Sequence, residues 1–187
     1  MNLPNQLTLG RLALTAVFVA CFSIEFQGRF TAALAIFALA AATDWLDGEI
    51  ARRRGLVTDF GSLMDPLVDK ILTASAFIGL TAFHAIPPWA VIVIISREFL
   101  ITGLRSLAAS KGTILAADKL GKHKTTWQMA TIIYFLLLLA AGEWISWPWQ
   151  PAAWKFGTHF LVPATVALSV WSGLAYLLKN RSLIDTR

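Results

Sequence analysis

Charged side chains are scarce in this sequence, because Asp, Glu, Lys and Arg together make up only 14% of its 187 residues. A soluble domain usually carries about 25% charged residues, so an ordinary soluble globule is excluded. A single cysteine and the absence of low-complexity tracts exclude a disulfide scaffold and a disordered chain. What is present is 57% hydrophobic residues, a mean hydropathy of +0.64 and a net charge of +5. This combination favours a membrane protein with a cationic face over a nucleic-acid binder.

Six apolar stretches divide the chain, each bounded by charged residues, Pro or Gly. About 18–25 mainly apolar residues are the length that a helix needs to cross a bilayer. We therefore predict an all-α membrane protein with six transmembrane helices, in a single domain that covers residues 1–187. The predicted spans cover residues 7–24, 30–51, 62–84, 88–109, 122–141 and 157–178.

The basic residues between these spans are distributed asymmetrically. With six spans both termini lie on one side, and that side collects nearly all Lys and Arg, whereas the other holds Arg29 and Lys155. Basic loops stay in the cytoplasm, so we predict cytoplasmic N- and C-termini. The Trp-rich segment 143–149 lies on the outer side and predicts an interfacial aromatic belt, with a ligand-binding aromatic cage as the alternative. We expect the first span to be retained, because Phe18 fits poorly in a signal-peptide cleavage site.

Four aspartates lie where apolar helices meet the cytoplasmic side. Asp44 and Asp47 are three residues apart near the end of the second span, and Asp65 and Asp69 are four apart near the start of the third. Each pair shares a helix face, so the two spans would bring four carboxylates to one depth. Such a cluster is typical of a site for hard divalent cations that act on phosphate esters. The alternatives are simple ion pairs with neighbouring basic residues, or a cation or proton transporter.

Small residues next to these aspartates leave room for a ligand. Gly48 and Ala51 follow the first pair, and Gly61 precedes the second pair by one turn. Arg52 is placed to contact a diphosphate or to orient a carboxylate. We predict a nucleotide-binding notch here, with helix packing as the alternative explanation for the small residues.

A longer pattern unites these residues. The chain contains Asp44-x2-Asp47-Gly48-x2-Ala51-Arg52-x8-Gly61-x3-Asp65-x3-Asp69. This string resembles the signature of the CDP-alcohol phosphotransferase family of six-helix membrane enzymes, which are usually homodimers. The resemblance implies two divalent cations, Mg²⁺ or Mn²⁺, bound by the four aspartates, and it implies that Asp69 acts as the general base. It also implies transfer of a phosphatidyl or related group from a CDP-linked donor to an alcohol.

Further motifs are similar to one branch of this family, the bacterial phosphatidylglycerophosphate synthases of the inner membrane. They are Pro4-Asn5-x2-Thr8-x2-Arg11, Arg97-Glu98-x3-Thr102-x2-Arg105 and Gly121-Lys122-x-Lys124-Thr125-Thr126-x-Gln128. This similarity implies CDP-diacylglycerol as the donor and sn-glycerol 3-phosphate as the acceptor. It also adds Asn5, Thr8 and Thr58 to the donor-binding residues. A cardiolipin synthase of the same family, with another acceptor, is the alternative.

The acceptor would be a small dianion, which needs a cationic pocket. Arg97 and Arg105 are eight residues apart and so share a helix face. Lys122 and Lys124 stand at the start of the fifth span, and Arg11 is expected to reach in from the first. We predict that these five residues bind the acceptor phosphate, with contacts to anionic lipid headgroups as the alternative. Glu98 is predicted to pair with a basic neighbour rather than to take part in the chemistry.

Overall fold

A computed structural model of the chain describes residues 3–54, 59–110, 112 and 119–181, and within these ranges every regular element is helical. The helices are α1 Leu3–Ser23, α2 Arg29–Arg54, α3 Asp59–Ala82, α4 Pro88–Ser110, α5 Lys119–Trp144, α6 Gln150–Phe156 and α7 Val162–Lys179, with a π-helical turn, Gly157–Leu161, between the last two. The predicted all-α class is confirmed. Two stretches of the described residues, His123–Trp144 and Gln150–Lys179, are long and apolar enough to cross a membrane.

The last helical run begins earlier than predicted. Helix α6, the π-helical turn and α7 follow one another without a break, so this run begins at Gln150 rather than at residue 157. Pro151 stands in the first turn of α6, where its missing N–H and restricted φ angle favour a helix start. Gly157 keeps right-handed helical backbone angles, φ −56° and ψ −51°, and therefore does not end the helix. A Cβ on Gly157 would lie 2.7 Å from the Tyr134 ring, so the residue permits close packing on α5.

The core is built from phenylalanines and small residues. The side chains of Phe18, Phe37, Phe77 and Phe135 are buried where α1, α2, α3 and α5 pack together. Helix α2 contributes two fully buried alanines and α3 a third, and small residues of this kind let helix backbones approach closely. The cysteine, Cys21, lies in the same core with only 4% of its surface exposed.

Large apolar side chains also cover the outside of the bundle. Ile92 and Phe99 on α4, and Trp171 and Leu178 on α7, each expose more than half of their surface. An exposed apolar surface of this extent is unfavourable in water and is expected for helices that face lipid. The outer surface of the bundle therefore agrees with a membrane protein.

One end of the bundle is rich in aromatic rings. Phe22 at the end of α1, Phe30 at the start of α2 and Phe83 after α3 pack together, with ring centroids 4.7–6.0 Å apart. The last turn of α5 joins them, because the indole N–H of Trp144 donates to the hydroxyl of Thr31 at 2.8 Å. We call this region the aromatic end. It includes the start of the Trp-rich segment that the sequence predicts for the outer interface.

Helix α3 stops at the aromatic end through a left-handed residue. His84 has a φ angle of +54°. Its N–H donates to the carbonyl of Thr81 at 3.0 Å, and the N–H of Ala85 donates to the carbonyl of Leu80 at 3.1 Å. These two bonds form the Schellman motif, in which glycine is usual at the position that His84 occupies. The motif turns the chain toward α4.

Candidate active site

A cleft of about 420 Å³ opens between α3, α4, α5 and α7. Four of the predicted catalytic and phosphate-binding residues line it: Asp69 from α3, Arg97 and Arg105 from α4, and Lys124 from α5. The predicted face of α4 is confirmed, since two turns of helix bring both arginines to the same cleft. The other described lining residues are Lys70, Thr73, Glu98, Ile101, Thr102, Gly121, Thr125, Thr126, Gln128, Ser172 and Tyr176.

Glu98 joins two of the predicted cations. Its Oε1 atom accepts a hydrogen bond from Nη1 of Arg97 at 3.0 Å and another from Nζ of Lys124. The Lys124 side chain is 5% exposed and that of Glu98 17%, so this network is largely removed from water. Buried charges are tolerated when they are paired and hydrogen-bonded. The prediction that Glu98 pairs with a basic neighbour is confirmed, and it has two such partners.

Helix α7 contributes two residues that the sequence analysis did not select. The hydroxyl of Ser172 accepts a hydrogen bond from Nη2 of Arg97 at 3.1 Å, and that of Tyr176 accepts one from Nε of Arg105 at 3.1 Å. Both residues line the cleft. The available signal was their spacing, because polar residues four apart on an otherwise apolar helix share a face.

Asp69 lies in the first half of α3 and borders the cleft. Its main-chain carbonyl accepts the hydroxyl of Thr73 at 3.1 Å, and Thr73 also lines the cleft. Lys70 lies beside it, so one carboxylate and one ammonium group from adjacent positions reach the same space. Asp69, the last residue of the aspartate motif, therefore shares the cleft with the basic residues of α4 and α5.

Arg11 and Thr8 are placed differently from the other predicted residues. Both lie on α1 and are buried, Arg11 with 1% and Thr8 with 2% of its surface exposed, and neither is among the described residues that line the cleft. A guanidinium so deeply buried needs compensating polar or anionic groups. Helix α1 packs against both α2 and α3, which are the helices that carry the aspartates.

The remaining predicted site residues are known here only through the backbone. The predicted helical placement is confirmed for six of them, whose side chains lie outside the part that the structure describes: Asp44, Asp47, Gly48, Ala51, Asp65 and Lys122. Asn5 and Arg52, which lie outside the predicted spans 7–24 and 30–51, are also helical, because α1 begins at Leu3 and α2 extends to Arg54; their side chains are likewise outside the described part. Gly61 also lies within a helix, α3. Thr58 lies outside the described residues. Asp44 and Asp47 fall in the second half of α2, and Asp65 falls in the first half of α3.

Comparison with known proteins gives consistent matches over nearly the whole chain. Residues 1–176 match the model of a family described as CDP-alcohol phosphatidyltransferase. A Bacillus subtilis protein named CDP-diacylglycerol–glycerol-3-phosphate 3-phosphatidyltransferase is 39% identical, over 99% of this chain and 98% of its own length. A rice protein named cardiolipin synthase (CMP-forming) is 35% identical, over 96% of this chain and 57% of its own length. Among solved structures, the apo phosphatidylinositol phosphate synthase of Mycobacterium tuberculosis is similar, with a TM-score of 0.65 and 25% identity over 98% of this chain and 93% of its own.

Proposed function

The chain belongs to the CDP-alcohol phosphatidyltransferase family, and from this membership we propose that it transfers a phosphatidyl group from CDP-diacylglycerol to sn-glycerol 3-phosphate. The products are phosphatidylglycerol phosphate and CMP, and the reaction belongs to phospholipid biosynthesis. The observation that carries the proposal is the 39% identity to the Bacillus subtilis enzyme of that name over nearly the full length of both chains.

The charge of the cleft supports this acceptor. Four cationic side chains, Lys70, Arg97, Arg105 and Lys124, line it together with two carboxylates, those of Asp69 and Glu98, which leaves an excess of two positive charges. A phosphate monoester such as glycerol 3-phosphate is close to a dianion at neutral pH and matches this excess. Phosphatidylglycerol, the acceptor of a cardiolipin synthase, carries one negative charge on a diester and presents a neutral alcohol.

The donor set of the aspartates fits a pair of divalent cations. Asp44, Asp47, Asp65 and Asp69 supply only carboxylate oxygens, the ligands that Mg²⁺ and Mn²⁺ prefer, at spacings that put each pair on one helix face. We assign the binding of two such ions, Mg²⁺ or Mn²⁺, to these four residues. When bound, the ions neutralise the diphosphate of the donor and stabilise the CMP leaving group.

Asp69 supplies the proton acceptor for direct displacement. Its carboxylate takes the proton from the acceptor hydroxyl. The oxygen of that hydroxyl then forms a bond to the lipid-bearing phosphorus, while the bond from that phosphorus to CMP breaks. Arg97, Arg105, Lys122 and Lys124 bind the acceptor phosphate, with Arg11 supporting them from α1. No covalent enzyme intermediate is required, because the acceptor itself is the nucleophile.

The donor is assigned to the residues around the first aspartate pair. Gly48, Ala51 and Gly61 leave space for the nucleotide, and Arg52 contacts the diphosphate. Asn5, Thr8, Asp47 and Thr58 complete this set.

The donor and product are lipids, and the enzyme is proposed to work in the bacterial inner membrane. We assign six transmembrane spans, cytoplasmic termini and a cytoplasm-facing cleft, since nearly all Lys and Arg fall on that side. The chain is expected to act as a homodimer surrounded by membrane lipids, without a nucleic-acid partner.

The test is an assay of the purified full-length enzyme with CDP-diacylglycerol, Mg²⁺ and labelled acceptors. We expect CMP release and a labelled lipid with sn-glycerol 3-phosphate, and neither product after chelation of divalent ions. Asp69→Asn should lower kcat at least about 100-fold, the effect expected for loss of a general base. Turnover with phosphatidylglycerol but not with glycerol 3-phosphate would assign the chain to the activity named for the rice relative. Absence of CMP release with any alcohol would favour the transporter alternative.

A further inference from the structure

The last helix forms one wall of the cleft and contacts both arginines of α4. Ser172 and Tyr176 are four residues apart, one turn of α7, and each accepts a hydrogen bond from a different arginine. Arg97 and Arg105 are the two residues of α4 that the proposed function assigns to the acceptor phosphate. The contacts between α4 and α7 therefore determine how these guanidinium groups are oriented.

Arg97 is held on α7 by shape as well as by hydrogen bonds. The hydroxyl proton of Ser172 is donated to the carbonyl of Ser169 at 3.0 Å, so its oxygen lone pairs are left to accept from Arg97. The stem of Arg97 lies over Gly173, where an added Cβ would be 2.9 Å from Cγ. With Glu98 on Nη1 and Ser172 on Nη2, both terminal nitrogens of Arg97 already have protein partners.

Arg105 is held in a way that leaves its terminal nitrogens available. The Tyr176 hydroxyl oxygen accepts a hydrogen bond from Nε of Arg105 at 3.1 Å, and the guanidinium carbon lies 5.4 Å from the centroid of the Tyr176 ring. Among the described residues, no hydrogen-bond partner is recorded for either Nη atom of Arg105, and the residue lines the cleft. A guanidinium fixed through Nε presents its two terminal amino groups in the geometry that binds a phosphate in a bidentate manner.

We propose that Ser172 and Tyr176 are positioning residues of the acceptor site. Tyr176 fixes Arg105 with both terminal nitrogens available to the acceptor phosphate, and Ser172 fixes Arg97, which also orients Glu98 and, through it, Lys124. This inference rests on the proposed function, because it assigns both residues to the binding of the phosphorylated acceptor. A purely structural role, in which the same bonds only tie α7 to α4, predicts lower stability without a selective effect on one substrate.

The test measures steady-state kinetics of the full-length enzyme in detergent micelles, with the two substrates varied separately. Tyr176→Phe keeps the ring over Arg105 and removes only the hydroxyl, so we expect the KM for sn-glycerol 3-phosphate to rise about five- to tenfold. Ser172→Ala should also raise the KM for sn-glycerol 3-phosphate. The KM for CDP-diacylglycerol should change less than about twofold, because neither residue contacts the donor in this assignment.

Two matched controls are not among the described residues that line the cleft: Ser169 on α7 and Tyr134 on α5. Ser169→Ala removes a buried hydroxyl for which no hydrogen-bond partner is recorded among the described residues, and it leaves intact the carbonyl that Ser172 uses. Tyr134→Phe removes a tyrosine hydroxyl that bonds the carbonyl of Ala153 at 2.8 Å, remote from the cleft. In both controls the KM for the acceptor should equal that of the unmodified enzyme.

A double-mutant cycle tests whether Tyr176 acts through Arg105. In an Arg105→Gln background, Tyr176→Phe should produce no further rise in the acceptor KM, since the group that it orients is gone. An undiminished effect in that background would overturn the inference, as would equal increases in the KM for both substrates. If the unmodified enzyme uses another alcohol instead of glycerol 3-phosphate, the proposed function fails, and the same variants decide the positioning role with the acceptor that is turned over.

Discussion

Thr31 and Glu143 are 112 residues apart in sequence, yet the backbone N–H and the hydroxyl of Thr31 both donate to Oε2 of Glu143, at 3.0 and 2.9 Å. The other carboxylate oxygen accepts the N–H of Phe30 at 2.8 Å. A single side chain from the end of α5 thereby caps the first turn of α2. Backbone N–H groups at that position have no partner within the helix, and a negative charge is favourable there.

Replacement of this distant cap should destabilise the fold and leave the chemistry intact. Glu143→Gln removes the charge and one of the two acceptor oxygens, so we expect the free energy of unfolding to fall by about 1–2 kcal/mol. Thermal unfolding of the purified protein in detergent measures the change. The control is Glu25→Gln, whose carboxylate is 92% exposed and 3.9 Å from Arg29 and should contribute little. Equal losses in the two variants would contradict the cap.

The left-handed residue after α3 offers a stabilising substitution. His84 has a φ of +54°, a backbone conformation in which residues other than glycine are strained by their Cβ atom. His84→Gly should therefore raise the free energy of unfolding by about 0.5–1 kcal/mol. The same unfolding assay measures it. His84→Ala is the matched control, because alanine keeps the Cβ and should bring no comparable gain. A similar gain from alanine would show that loss of the imidazole, rather than relief of backbone strain, is responsible.

Gly173 is predicted to be essential for the position of Arg97. In Gly173→Ala the new Cβ would lie 2.9 Å from Cγ of Arg97, close to the base of that side chain, so the arginine must move away from Ser172. We expect the KM for the acceptor to rise about tenfold, the effect of losing a hydrogen bond to a charged group. Gly103→Ala is the control on α4, since no atom lies within 4 Å of its added Cβ. An acceptor KM that is unchanged in Gly173→Ala would show that Arg97 need not be held there.

The buried ion pair of Glu98 and Lys124 should show strong coupling. Glu98→Leu leaves the ammonium of Lys124 without its buried carboxylate, and we expect a loss of about 3 kcal/mol of stability. Lys124→Met should be destabilising for the converse reason. The double variant should be more stable than the Glu98→Leu single variant, because it also removes the ammonium that the single variant leaves buried without its carboxylate. Unfolding of all three variants measures this, and additive losses would contradict a direct pairing.

The sequence predicts the α4 side of the site well. Arg97 and Arg105 stand out as cations in an apolar span, and helical periodicity alone places them on one face. The pairing of Glu98 follows because an isolated carboxylate in such surroundings would be unfavourable. That Glu98 bridges two cations depends on how the fold brings Lys124 of α5 next to Glu98 of α4, and no local pattern encodes it.

The contribution of α7 was missed for a different reason. Serine and tyrosine are common in transmembrane helices, so Ser172 and Tyr176 do not stand out by residue type as an intramembrane arginine does. Only the tertiary contact with α4 makes them functional candidates. The early start of the last helical run was missed for a related reason. A glycine such as Gly157 predicts the end or the beginning of a helix, but here it lies within the helical run and permits close packing against Tyr134.

The burial of Cys21 makes the protein a convenient template for mapping sidedness. With 4% of its surface exposed, this thiol should not react with a membrane-impermeant maleimide in intact cells or sealed vesicles. A second cysteine introduced at the exposed Ser146, near the aromatic end, would then be labelled alone and would report which compartment that end faces. The natural cysteine need not be removed, and the packing between α1 and its neighbours stays undisturbed.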